Sequence, residues 1–285
     1  MAERYGLRFG AARFVAGESL VAATRVVRRI NREGMTATLD VLGENVETEQ
    51  QAVQTKLAYM RTLKHLHRLR LESTISLKLT ALGLDLHPEF CYDQLRQIVS
   101  LASDLGNFVR IDMEDSHHLP ATLEIFRRIR QEYEQVGTVI QAYLYRSESD
   151  LRALQQMGAN LRLVKGAYRE PPQVAFPDKR DVDANFRKLI ELQLNSGCFC
   201  AIATHDDAII GWALEYIRNA NLSKERYEFQ MLYGIRPGLQ RELVEAGQPL
   251  RIYIPYGRSW YPYFMRRLAE RPENVKFVLR GLLRP

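Results

Sequence analysis

From Thr36 onward, short apolar runs rich in β-branched residues alternate with longer segments whose apolar positions recur every three or four residues. The short runs are "TATLDVL" (36–42), "ISLKLTAL" (75–82), "FVRIDME" (108–114), "TVIQAYL" (138–144), "LRLVKGA" (161–167), "CFCAIATH" (198–205), "YEFQMLYG" (227–234) and "LRIYIPYG" (250–257). Each reads as a strand. Between them, sets such as Leu95, Ile98, Val99 and Leu101-Ala102, then Leu123, Ile125-Phe126 and Ile129, recur at helical spacing. Phe186, Leu189, Ile190 and Leu194 form a later set, and Phe264, Met265 and Leu268 another. Parallel strands need crossovers, and here every crossover is helical, so the pattern predicts an α/β fold, a (β/α)8 TIM barrel. "ESLVAATRVVRRINREG", ahead of the first strand, predicts one more helix capped at Gly34. Residues 1–33 are thus expected to be an N-terminal helical extension and residues 34–285 the barrel.

Composition agrees with that architecture: 285 residues, 46% hydrophobic and 26% charged, suit one soluble barrel of about 250 residues. Three cysteines, Cys91, Cys198 and Cys200, lack C-x-x-C spacing and support neither a disulfide framework nor a zinc ribbon. A reducing, cytoplasmic setting is expected. No run reaches the roughly 18 apolar residues that cross a bilayer, so any membrane contact would be peripheral. The formal charge of +6 is spread along the chain, which fits solvated helix faces and would also suit acidic ligands or an anionic membrane surface. "RTLKHLHRLR" reads as a solvated helix rather than a nucleic-acid reader. His65 and His67, two apart, face different sides of that helix, and His117-His118 lacks partners at ligand spacing, so no metal site is expected.

In such barrels chemistry sits at the C-terminal ends of the strands. Polar residues late in a strand are Lys78, Asp112 beside Met113 and Glu114, Gln141, Arg162 with Lys165, Thr204-His205, Gln230 and Tyr253. Alternation in "ISLKLTAL" sets Ser76, Lys78 and Thr80 on one face and Ile75, Leu77 and Leu79 on the other. An inward lysine needs an anion, either a carboxylate such as Asp112 or a ligand. Gly166 beside Lys165 permits close approach of backbone to a ligand. "IATHD" reads either as a phosphate or pyrophosphate site at a helix N-terminus or as an N-cap cluster of Thr204, Asp206 and Asp207. Arg266-Arg267, near Trp260, Tyr261, Tyr263 and Phe264, would clamp a carboxylate or lie on a solvated face.

The ordered set "ISLKLTAL", "VRIDMED", "VIQAYLYR", "LRLVKGAY", "AIATHD", "YEFQMLYG", "RIYIPYG" and "YFMRRL" resembles the proline dehydrogenase family over about Thr36 to Phe277. The resemblance implies a distorted (β/α)8 barrel that binds FAD non-covalently, oxidises L-proline to Δ1-pyrroline-5-carboxylate and passes electrons to a membrane quinone. Lys78, Arg266 and Arg267 would then hold the proline carboxylate, with Asp112 organising Lys78 and Tyr253 packing in the substrate pocket. Arg162 would lie near the reactive edge of the flavin and Gln141 at its pyrimidine edge. Met113, Val164, Lys165, Gly166, Ala167 and Tyr168 would contact FAD, and Lys179, Thr204 and His205 would lie towards its ribose and pyrophosphate. The family pattern departs at Pro177 in "AFPDK", where a hydroxyl is expected. The rival readings are a Schiff-base lyase using Lys165 and a non-catalytic basic binding protein.

Overall fold

The computed structural model describes residues 13–270, with side chains as far as Met265. Eight parallel strands close into a barrel in sequence order. They are β1 (Thr36–Val41), β2 (Ser73–Leu77), β3 (Val109–Ile111), β4 (Val136–Gln141), β5 (Asn160–Val164), β6 (Cys200–Ala203), β7 (Tyr227–Leu232) and β8 (Leu250–Tyr256). After a leading helix α1 (Leu20–Arg32), each strand feeds one helix. These are α2 (Glu49–Arg68), α3 (Pro88–Asp104), α4 (Leu119–Glu132), α5 (Ser147–Gln155), α6 (Lys179–Asn195), α7 (Asp207–Asn219), α8 (Pro237–Glu245) and α9 (Trp260–Glu270). Proline opens α3, α4 and α8, where its missing N–H costs nothing, and a Thr48/Gln51 capping box starts α2.

All eight predicted strands are present, most of them shorter than their apolar runs. β2 stops at Leu77, and Thr80–Leu82 forms a 3-10 turn closed by Gly83 at φ 91°. Lys78 therefore leaves the strand at the rim of the barrel. Outward-facing Ala37, Leu39, Ile75, Leu77, Val109 and Ile111 are buried under the helices. Their partners include Leu95, Ile98, Phe126, Phe186 and Ile190, the faces that the three-and-four spacing selects. Met265 departs from that spacing: it is exposed, whereas Phe264 joins Phe14, Val15, Leu42, Ile235, Trp260 and Tyr263 in a smaller cluster. Leu268 lies outside the residues whose side chains are described.

The leading segment is built into the barrel rather than appended to it. α1 lies against β1 and β8, burying Ala23, Val27 and Ile30. Ahead of it, the Ala16 N–H donates to Pro255 O at 2.9 Å, Gly17 O accepts from the Gly257 N–H at 3.0 Å, and Arg13 Nε donates to Gly234 O at 3.1 Å. At Gly234, φ is +76°, and a Cβ there would fall 1.8 Å from Arg13 O. Gly234→Ala is therefore expected to lift this segment and lower the unfolding free energy by about 1–3 kcal/mol, read from urea denaturation.

Candidate active site

Inward positions of the strands carry polar and charged side chains where many barrels pack branched aliphatics. The centre is Asp112, just past β3 and 8% exposed. Its Oδ1 accepts from Arg162 Nη1 of β5 at 2.6 Å and from Ser76 Oγ of β2 at 2.6 Å, and its Oδ2 accepts from Tyr253 OH of β8 at 2.9 Å. Arg162 Nε donates to Gln230 Oε1 at 2.5 Å, while Gln230 Nε2 donates to Glu228 Oε1 at 2.5 Å. Arg251 reaches the same Glu228 oxygen at 2.8 Å. A chain of charge-assisted bonds thus runs up the barrel interior and fixes the plane of the Arg162 guanidinium. Burial, then the nearby Asp112 carboxylate, pushes the Tyr253 hydroxyl well above its ordinary value, so it serves as a protonated donor.

Lys78 does not pair with Asp112, contrary to the expectation from neighbouring strands. Its Nζ lies 3.3 Å from Asp40 Oδ2 of β1. Asp112 is instead claimed by Arg162 from β5, two strands along, whose fork is fixed by Gln230 and Ser76. Burial opposes the Lys78 charge, but Asp40 and then Asp112 outweigh it and hold the ammonium above its usual value. Asp40 also accepts from Tyr59 OH at 3.2 Å.

A cavity of about 1010 Å³ lies at the C-terminal ends of the strands and extends from Lys78, Asp112 and Tyr253 to Lys179 and Asp207. Every residue to which the resemblance gives a site role and whose side chain is described lines it: Lys78, Asp112, Met113, Gln141, Arg162, Val164, Lys165, Gly166, Ala167, Tyr168, Lys179, Thr204, His205 and Tyr253. Gln230 lines it too, whereas Glu114 stands outside it, accepting from the Thr80 N–H at 3.1 Å. Arg266 and Arg267 fall on α9, and their side chains lie outside the described residues. Gln141 Nε2 donates to Glu114 O at 3.0 Å, and its buried Oε1 has no partner among the described residues. At Gly166, φ is +119° and a Cβ would fall 2.4 Å from the Tyr143 ring.

At the far end of the cavity, Lys165 Nζ sits 2.5 Å from Asp183 and 2.7 Å from Asp206, and Lys179 joins both carboxylates. Asp206 is the N-cap of α7, accepting from the Ala208 N–H at 3.0 Å, while Thr204 Oγ1 accepts from the Asp206 N–H at 3.2 Å. The N-cap reading of "IATHD" therefore holds with Asp206 in the role, and the helix N-terminus still opens on the cavity. His205 Nε2 accepts from the Leu232 N–H at 2.9 Å, which places the proton of the neutral ring on Nδ1. Lys165 draws the Asp206 carboxyl down to about 2. Because that lies below the unfolded value near 3.9, the pair stabilises the fold above about pH 4, and the contribution drains away as pH falls towards 2. Asp206→Asn is expected to flatten that part of the curve of thermal midpoint against pH.

Residues passed over in the sequence include Asp40, whose alternation with Thr36 and Thr38 carries the same signal as that of Lys78 with Ser76. Arg236 was missed as well. It sits in a left-handed turn at φ 52° before Pro237, donates to His205 O at 2.7 Å and pairs with Asp207 at 2.7 Å. A positive-φ arginine leaves no trace in composition.

Comparison with known proteins agrees with the sequence motifs. A family profile described as Proline dehydrogenase matches residues 23–280. The chain is 49% identical over 283 residues to Proline dehydrogenase 1 of Bacillus subtilis strain 168, covering 99% of this chain and 94% of that one. It is 40% identical over 279 residues to Proline dehydrogenase of Deinococcus radiodurans, covering 96% and 90%. Among solved structures, it superposes on proline utilization A (PutA) from Bdellovibrio bacteriovorus, inactivated by N-propargylglycine. The TM-score is 0.88 and the identity 29%, over 94% of this chain and 33% of that one.

Proposed function

The chain belongs to the proline dehydrogenase family, and from that premise we propose that it oxidises L-proline to Δ1-pyrroline-5-carboxylate with non-covalent FAD and a membrane quinone as final acceptor. When bound, FAD would supply the redox chemistry, as acceptor of the hydride from proline C5 and donor of electrons to the quinone. The protein's share is binding, orientation and electrostatics.

Lys78, kept charged by Asp40 and Asp112, would hold the proline carboxylate together with Arg266 and Arg267. Tyr253 forms a wall of that pocket through its bond to Asp112. Arg162, held between Asp112 and Gln230, offers a preoriented cation to negative charge that develops near it. Asp40 and Asp112 are both engaged by cations, which supports entry of proline with its nitrogen already deprotonated by solvent.

The residues present fit FAD. The unpartnered Gln141 Oε1 is a buried acceptor suited to an imide N–H, and Gly166 leaves bare backbone where a side chain would intrude. Lys165, Lys179 and the N-terminus of α7 supply donors for the ribose and pyrophosphate end. The observation that carries the reading is the convergence of all these groups on one cavity at the strand ends. It favours no Schiff-base lyase, because Lys165 Nζ is engaged by two carboxylates. Purified protein is expected to be yellow, to show a flavin spectrum and to bleach on adding L-proline without oxygen. A colourless protein that cannot be reconstituted with FAD would overturn the proposal.

A further inference from the structure

The barrel has a second cavity, of about 270 Å³, at the N-terminal ends of its strands, opposite the candidate active site. Half-buried Thr74, Phe108, Asn160 and Phe199 form its rim, so it is reachable from solvent. Three arginines line it. Arg162 is neutralised by Asp112 at 2.6 Å and Arg251 by Glu228 at 2.8 Å.

Arg110 is different. It is 4% exposed, and its hydrogen bonds end on neutral oxygens: Thr138 O at 2.9 Å, Asn160 O at 2.6 Å and Asn160 Oδ1. Among the described residues it has no salt bridge, although a guanidinium does not shed its proton inside a protein. Its place is made for it, since a Cβ on Gly137 would fall 2.5 Å from Nη1 and 2.4 Å from Asn160 O. Burial, followed by repulsion from Arg162, pushes its ionisation well below the ordinary arginine value. A buried charge of this kind calls for a counter-ion. The Phe108 ring lies 5.0 Å from its guanidinium, and the two carboxylates whose charges reach it, Glu228 and Asp112, are each already paired with another arginine, so three guanidiniums share two negative charges.

We propose that this cavity binds one small monovalent inorganic anion of the halide class, seated against Arg110. The single charge follows from the pairing, because only one of the three guanidiniums is left uncompensated. Glu228, whose Oε1 already serves Arg251 and Gln230, stands in the same wall and repels any second negative charge. The site shares Arg162 and Gln230 with the wall of the larger cavity, but its unpaired charge is that of Arg110, and its test does not depend on which substrate is turned over at the other end.

Crystals of the full-length protein soaked in sodium bromide test it directly. An anomalous peak beside the Arg110 guanidinium is expected, and bromide confined to the outer surface would overturn the proposal. In solution, the protein is expected to broaden the ³⁵Cl resonance of sodium chloride, with bromide competing the effect away. Arg110→Met should cut the broadening at least fivefold, and unchanged broadening in a folded variant would count against the site. Should that variant fail to fold, the bromide map of the wild-type protein decides alone.

Discussion

Replacing Asp112 with alanine is expected to lower the unfolding free energy by about 3–5 kcal/mol, the range for removing one partner of a buried ion pair. Asp112 and Arg162 side chains are 11% and 7% exposed, so solvent cannot take over the charge that is left behind. The loss also removes the acceptor to which Ser76 Oγ and Tyr253 OH donate. At about 2–4 °C per kcal/mol for a domain of this class, the thermal midpoint should fall by roughly 6–20 °C. Asp112→Ala combined with Arg162→Met should recover much of that fall, because the uncompensated guanidinium goes with it. Urea denaturation of the two single variants and the double variant measures this coupling. An Asp112→Ala midpoint equal to wild type would contradict the burial of the pair.

Gly166→Val is expected to cost about a hundredfold in kcat/KM for proline and most of the bound flavin, while leaving the fold in place. Two constraints meet at this residue. At φ +119° a β-branched side chain is strained, and the Tyr143 ring occupies the space that a Cβ would enter. Tyr143 cannot swing away freely, because its hydroxyl bonds Glu170 Oε1 at 3.4 Å, and Glu170 is itself tied to Ser116 N at 2.6 Å. The strain must therefore move the Lys165-to-Tyr168 wall of the cavity, and a displacement of about 1 Å in a positioning wall is enough for a hundredfold loss. Flavin absorbance per protein and steady-state kinetics test the two parts separately. Full flavin content with wild-type kcat/KM would show that this wall does not border the cofactor.

Much of the barrel was legible because its outer face obeys one rule. Residues such as Leu39, Leu77 and Ile111 pack under helices, and period-two alternation marks them wherever they occur. The site was legible to the extent that its residues stand at or just past strand ends, as Gln141 at the end of β4 and Lys78 just past β2 do. What stayed hidden is set by closure. Tyr253 of β8 and Asp112, just past β3, stand far apart in strand order, and they meet only because β8 closes on β1. Reasoning from adjacent strands therefore gave Asp112 to Lys78, when Asp40 on the other side was its partner. Arg110, Glu228 and Arg251 stand early in their strands, where a search for catalytic groups does not look. Met265 shows a separate limit: helical spacing sorts apolar residues into faces, but at α9 one member of the set faces outward.

The seam between β1 and β8 pairs six residues in register, from Thr36 with Arg251 to Val41 with Tyr256. These two strands are made at opposite ends of synthesis. At about 5–20 residues per second, the ribosome needs roughly 10–40 s to go from Val41 to Tyr256. Throughout that interval β1 has an unpaired edge and an apolar face of Ala37 and Leu39, the form of surface on which nascent chains stick to one another. Closure in strict chain order thus leaves that edge open until the last strand is out.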